Sequence, residues 1–70
     1  MSIIKVVEIL ASSSTGWEDA AQNAVKHAAK TVKNIKSVYV KEQTAVVSGE
    51  NITEYRVNVK ISFEINNSGK

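Results

Sequence analysis

Residues 53–65, TEYRVNVKISFEI, alternate between polar and apolar side chains almost without a slip. Tyr55, Val57, Val59, Ile61, Phe63 and Ile65 fall on one side; Glu54, Arg56, Asn58, Lys60, Ser62 and Glu64 fall on the other. A period of two belongs to an extended chain whose successive side chains point to opposite faces. This stretch is therefore a strand with one face in a core. The apolar face needs a second layer, and the polar face needs something to touch.

The second layer is a helix. Trp17, Ala20, Ala21, Ala24, Val25, Ala28 and Val32 form one stripe at three- and four-residue spacing. Thr15 with Glu18 three residues on has the pattern of a capping box. Glu18 and Asp19 in the first turn, and Lys30 and Lys33 in the last, suit the helix dipole. The helix is predicted over about residues 16–33, stopping near Asn34. Two more segments read as strands: IIKVVEIL, residues 3–10, and KSVYVKEQTAVV, about residues 36–47. In the latter, strict alternation groups Val38, Val40 and Val46 with Glu42 and Thr44. It places Ser37, Tyr39, Lys41 and Gln43 on the opposite face, which turns apolar at Ala45 and Val47. ASSSTG, residues 11–16, is a loop, and SGEN, residues 48–51, is a hairpin connection. NNSGK is a polar tail over about 66–70.

The order β-α-β-β predicts one α+β domain over residues 1–70. A three-stranded antiparallel sheet packs on one amphipathic helix, with the Ala-rich stripe against the odd-numbered face of the third strand. The other face of the sheet has no covering layer, and the open edges of such a sheet are normally covered or paired.

Seventy residues bury only about 60% of the surface an unfolded chain exposes, so the core is small. Such domains add disulfides, a metal or partners. The chain has no Cys, and His27 is its single His, which excludes disulfides and a Cys/His zinc site. Oligomerisation is the remedy left. A net charge of +2 is too small to imply nucleic acid or a membrane surface. Lys26, Lys30 and Lys33 form a basic flank without the interleaved aromatic residues that stack on bases. No apolar run approaches the roughly 18 residues of a membrane helix. MSIIKVVEIL reads as a strand and not a signal peptide, so a cytoplasmic location is expected. Asn51-Ile52-Thr53 and Asn66-Asn67-Ser68 match a glycosylation pattern by chance on that reading. No nucleophile or acid–base pair accompanies His27, so an enzyme is not expected. Trp17 is read as a core or interface anchor, and Glu18 and Asp19 as helix-dipole residues and not metal ligands. Ser12, Ser13 and Ser14 are read as a capping loop and not an anion site.

An ordered set of features resembles the dodecin family over about residues 3–65. The set comprises Lys5-Val6-Val7-Glu8-Ile9, the Ser12-Ser13-Ser14 run, and Ala20, Ala24 and Ala28 followed by Thr31-Val32. It closes with Tyr55-Arg56-Val57-Asn58-Val59-Lys60-Ile61-Ser62-Phe63. The resemblance implies a hollow homododecamer that stores or sequesters a small ligand. Many dodecins bind flavins in pairs stacked between aromatic side chains of neighbouring subunits. The polar faces of strands two and three would then form subunit contacts and line a pocket with Ser37, Tyr39, Gln43, Arg56 and Asn58.

The chain departs from the flavin-binding pattern at two positions. A Trp early in strand two is matched by Ser37, and a Gln on strand three that bonds the isoalloxazine edge is matched by Arg56. Base–aromatic stacking gives a scale of about 1–3 kcal/mol per contact. Two lost contacts weaken a stacked flavin pair by roughly a hundredfold or more. Arg56 donates but has no acceptor. The calcium-dodecin type also lacks the stacking Trp and is similar to this chain in a Trp like Trp17 and an Arg like Arg56. No EF-hand-like carboxylate run is present, so any calcium ligands stay unassigned. Two readings follow: a shell that sequesters FMN, riboflavin or another planar or phosphate-bearing ligand, and a flavin-free shell with a cation-binding or scaffolding role. Ser37 and Arg56 favour the second over the flavin form of the first.

Overall fold

A computed structural model describes residues 2–66, with side chains from 3 to 65; the remainder of the predicted polar tail lies outside the described residues. The elements are β1 (Ser2–Ser13), α1 (Trp17–Ala28), β2 (Ile35–Ser48) and β3 (Asn51–Asn66). The sheet is antiparallel in the order β1-β3-β2. The uninterrupted alternation of β3 suits its central place. One side of it meets the helix, and its Val57, Val59 and Ile61 are the largest fully buried side chains.

Ala20, Ala24 and Ala28 complete the buried core. Their four-residue spacing stacks three small side chains on one helix face, which lets the backbone of α1 lie close to the sheet. Val7, Ile9 and Ala11 of β1 flank this core, with Trp17, Val25, Val32 and Ile35. The hairpin between β2 and β3 closes at the Ser48–Asn51 pair. Gly49 has φ +65 while Glu50 keeps a negative φ. That is the pattern of a type II′ turn, which needs Gly at its first central position.

Three features depart from the predicted elements. First, the Thr15–Glu18 capping box does not form. The N-cap is Gly16 with no side-chain cap bond, and the N–H groups of Thr15 and Gly16 turn back to Ser13 Oγ at 2.9 and 3.4 Å. β1 therefore runs to Ser13, three residues past its predicted end. Second, the helix stops at Ala28, well short of residue 33. The Lys30 N–H bonds the His27 carbonyl and the Thr31 N–H bonds that of Ala28, a tightened i→i−3 turn. Thr31 Oγ1 also donates to the Ala28 carbonyl at 3.3 Å. Asn34 then takes φ 63, a left-handed conformation that Asn tolerates better than most residues. Lys26 and His27 occupy the last turn in place of Lys30 and Lys33.

Third, β2 does not alternate strictly. Its register against β3 shifts between Val40 and Glu42, as well as at Ile35/Ser37 and Val46/Val47. Val40 pairs with Val59 on the helix side, but Glu42 pairs with Asn58 on the other. The extra residue, Lys41, turns the following side chains over. Glu42, Thr44 and Val46 thus join Ser37 and Tyr39 on the open face, while Gln43 and Ala45 oppose Val57 and Tyr55 on the helix side.

The helix lies over β1 and β3 and leaves much of β2 bare. Val38 and Val40, on the helix side, remain 39% and 37% exposed. The chain measures 57 × 19 × 13 Å, with a radius of gyration of 14.7 Å. A compact 70-residue domain would have about 11 Å. The chain is a long strip with apolar surface on both of its sides.

Candidate functional site

The open face is built from the register. β1 contributes Ile4, Val6, Glu8, Leu10 and Ser12, each opposite a polar residue of β3. Ile4, Val6 and Leu10 are exposed, Leu10 by 78%. β1 is apolar at both parities, the sequence pattern of a strand covered on two sides, and within this chain the helix covers one of them. That run of IIKVV and IL was the available signal for these three residues, and alternation within β2 and β3 alone did not include them.

At one end of the face, Leu10, Ser12, Glu42, Thr44, Glu54, Arg56 and Asn58 surround a hollow of about 370 Å³. Arg56 Nε donates to Glu54 Oε2 at 3.2 Å. This bond, the Ser12 hydroxyl and the guanidinium charge hold the Glu54 carboxyl below the ordinary carboxylate range. The pair supplies donors and acceptors side by side, with an exposed leucine next to them. Further along, the Asn58 amide and then the Lys41 charge keep the Glu8 carboxyl below its ordinary range. Lys41 Nζ reaches over β3 to Glu8 Oε2 at 3.5 Å. Asn58 Oδ1 is shielded from solvent and has no hydrogen-bond partner among the described residues. It is an unclaimed acceptor beside the hollow, and a buried acceptor without a partner is costly.

Of the residues named from sequence, Arg56 and Asn58 line the hollow. Ser37 shares a hydroxyl–hydroxyl hydrogen bond with Ser62, and Tyr39 lies opposite Lys60 with 64% of its surface exposed. The position opposite Ser37 is six residues along β3 from Arg56, a separation of about 20 Å. Within one subunit these residues share a face but not a cavity. Gln43 is on the helix side, a correction that the bulge at Lys41 imposes on the predicted grouping. In its place the bulge brings Glu42 and Thr44, which strict alternation had assigned to the opposite face.

Trp17 is an anchor. Its Nε1 donates to the Thr44 carbonyl at 2.8 Å, and its ring meets Tyr55 edge-on at 4.9 Å and 78°. Asp19 accepts the Ser13 hydroxyl at 2.7 Å, and its carboxyl is held below the ordinary range by Ser13 and then Thr15. Among the described residues, no three His, Asp or Glu side chains converge as ligands for a metal within one chain. Among the same residues, no helix is long and apolar enough to cross a membrane.

Residues 3–66 match the family described as Dodecin. This chain belongs to the dodecin family. A curated relative, calcium dodecin of Mycobacterium tuberculosis, is 37% identical over 65 residues, covering 93% of this chain and 92% of that protein. Dodecin of Thermus thermophilus is 30% identical over 63 residues, covering 90% and 91%. A solved structure of a T. thermophilus dodecin variant superposes with a TM-score of 0.88 at 29% identity, covering 94% of this chain and 98% of that one. The M. tuberculosis calcium dodecin structure, described as calcium chelating with a calcium-binding site, superposes with a TM-score of 0.79 at 34% identity and 97% coverage of both chains. The dodecin fold is thus shared with relatives of two names, one of them tied to calcium.

Proposed function

We propose that this dodecin-family chain forms a dodecameric shell that holds a small ligand between subunits on the open sheet face, in a storage and not a catalytic role. The observation that carries this reading is the face itself. Ile4, Val6 and Leu10 are exposed in line beside a hollow containing Arg56, Glu54 and the unclaimed Asn58 Oδ1. An apolar strip next to placed polar groups is the composition of an interface with a ligand site. Arg56 suits a phosphate-bearing or planar polar ligand. Ser37 has no ring, so tight flavin stacking is not part of the reading.

A cation is the second reading. Glu42 and Glu54 line the same hollow, and the calcium-dodecin relative favours it. Two carboxylates, one already paired with Arg56, do not make a calcium site that takes six to eight oxygens. A second subunit would have to supply the rest.

Light scattering on the purified protein tests the shell, and a monomer at micromolar concentration overturns it. Titration with riboflavin and FMN, followed by flavin fluorescence, should show no quenching at submicromolar protein. Strong quenching there restores flavin as the ligand. Calorimetric titration with calcium separates the two remaining readings.

A further inference from the structure

The bulge in β2 decides which side chains reach the hollow, yet among its own residues only Lys41 makes a side-chain contact, the exposed pair with Glu8 at 3.5 Å, and exposed pairs hold little. The segment KEQTAVV contains no Gly or Pro to fix an irregular position. A one-residue slip turns every following side chain to the opposite face. Moving the extra residue from Lys41 past Ala45 would return Glu42 and Thr44 to the helix side and put Gln43 on the open face. Some contact from outside the strand has to select the register.

Trp17 makes that contact from the opposite side of the sheet. Its indole N–H donates to the Thr44 carbonyl over a sequence separation of 27 residues. Its ring stands against Tyr55, and Tyr55 is the cross-strand partner of Ala45. One side chain thus acts on two successive positions just beyond the shift, one through the backbone and one through its strand partner. A half-buried indole needs an acceptor for its N–H, and the Thr44 carbonyl provides it.

We propose that Trp17 is a positioning residue for the hollow: its bond to the Thr44 carbonyl holds the bulge at Lys41, and so keeps Glu42 and Thr44 on the ligand face. The assignment rests on the hollow being the ligand site only for its effect on binding; its effect on the strand stands alone.

Trp17→Phe keeps a ring against Tyr55 and removes the donor. Amide hydrogen exchange at residues 41–45 should then run about two- to tenfold faster, the factor that one lost hydrogen bond gives. Exchange at Val57–Ile61 and the particle size should stay unchanged. Calcium and FMN serve as the binding probes, and whichever the wild type binds should bind several-fold more weakly to the variant. Unchanged exchange at 41–45 overturns the proposal, as does acceleration spread evenly over the whole sheet, which would mark Trp17 as a general anchor. If the wild type binds neither probe, the ligand reading fails and the exchange result still decides the role of Trp17. If the variant does not assemble, the indole N–H of the wild type decides instead. Protection from solvent exchange supports the bond, and exchange at the free-indole rate removes it.

Discussion

A single hydroxyl, that of Ser13, organises the entry to the helix. It accepts the N–H groups of Thr15 and Gly16 and donates to Asp19. One donor and two acceptor positions are all that a serine offers, and all are used. Ser13 is buried, but Thr15 and Asp19 are exposed to water that can replace the lost partner, so Ser13→Ala should lower the unfolding midpoint only modestly. Urea denaturation at one fixed protein concentration measures it, since assembly makes stability concentration-dependent. This junction and two carboxylates of the open face predict acid sensitivity. Asp19, Glu8 and Glu54 all have carboxyls lowered below their ordinary range. Each lowered value contributes stability that is fully present above the unfolded-state pKa of about 4 and is lost as pH falls through the folded one. Circular dichroism should show unfolding steepening below about pH 4, with the Asp19 part reduced in Ser13→Ala because Ser13 is the first of the groups that hold its carboxyl low. At Ser37, restoring a ring with Ser37→Trp should tighten flavin binding by about tenfold or more, one stacking contact's worth. Flavin quenching reads the result, and an unchanged titration would show that Ser37 is not the position that matters.

Among the elements, α1 is the most tightly constrained. Ala20, Ala24 and Ala28 are nearly inaccessible against Val57, Val59 and Ile61. Ala24→Leu pushes the helix off the sheet and should cost about 1–3 kcal/mol, read as a lowered unfolding midpoint. The stripe, the central strand and the antiparallel hairpin were legible because their periods run unbroken through Val57–Ile61 and Ala20–Ala28. The helix end was not. Val32 continues the stripe, but Thr31 and Asn34 stop the helix through local bonds and a left-handed turn. The faces of β2 were legible only as far as Val40. An extra residue leaves no mark in composition, so Gln43 was grouped with Tyr39, and Glu42 and Thr44 were assigned to the face they do not occupy. The candidate site was legible where it rests on β3, at Arg56 and Asn58, and hidden where it rests on the bulge.

As a whole molecule, the subunit is shaped for company. Leu10 is the test. On an isolated chain, Leu10→Glu replaces a largely exposed side chain and should change stability by no more than about 0.5 kcal/mol. In a shell that covers the open face, the same change buries an unpaired carboxylate and should break the particle. Light scattering that shows an intact oligomer for Leu10→Glu would place the subunit contacts elsewhere.

The pairing of β1 with β3 sets a schedule for synthesis. Ser2 lies opposite Asn66 and Ser13 opposite Tyr55, so β1, made before β3, has no sheet to join until β3 has been made. At about 5–20 residues per second, the wait between them is a few seconds to about ten. Through that interval IIKVVEIL is an apolar strand with both edges free, the kind of segment that finds the wrong neighbour on a crowded ribosome. Faster elongation across the β2–β3 hairpin would shorten that interval.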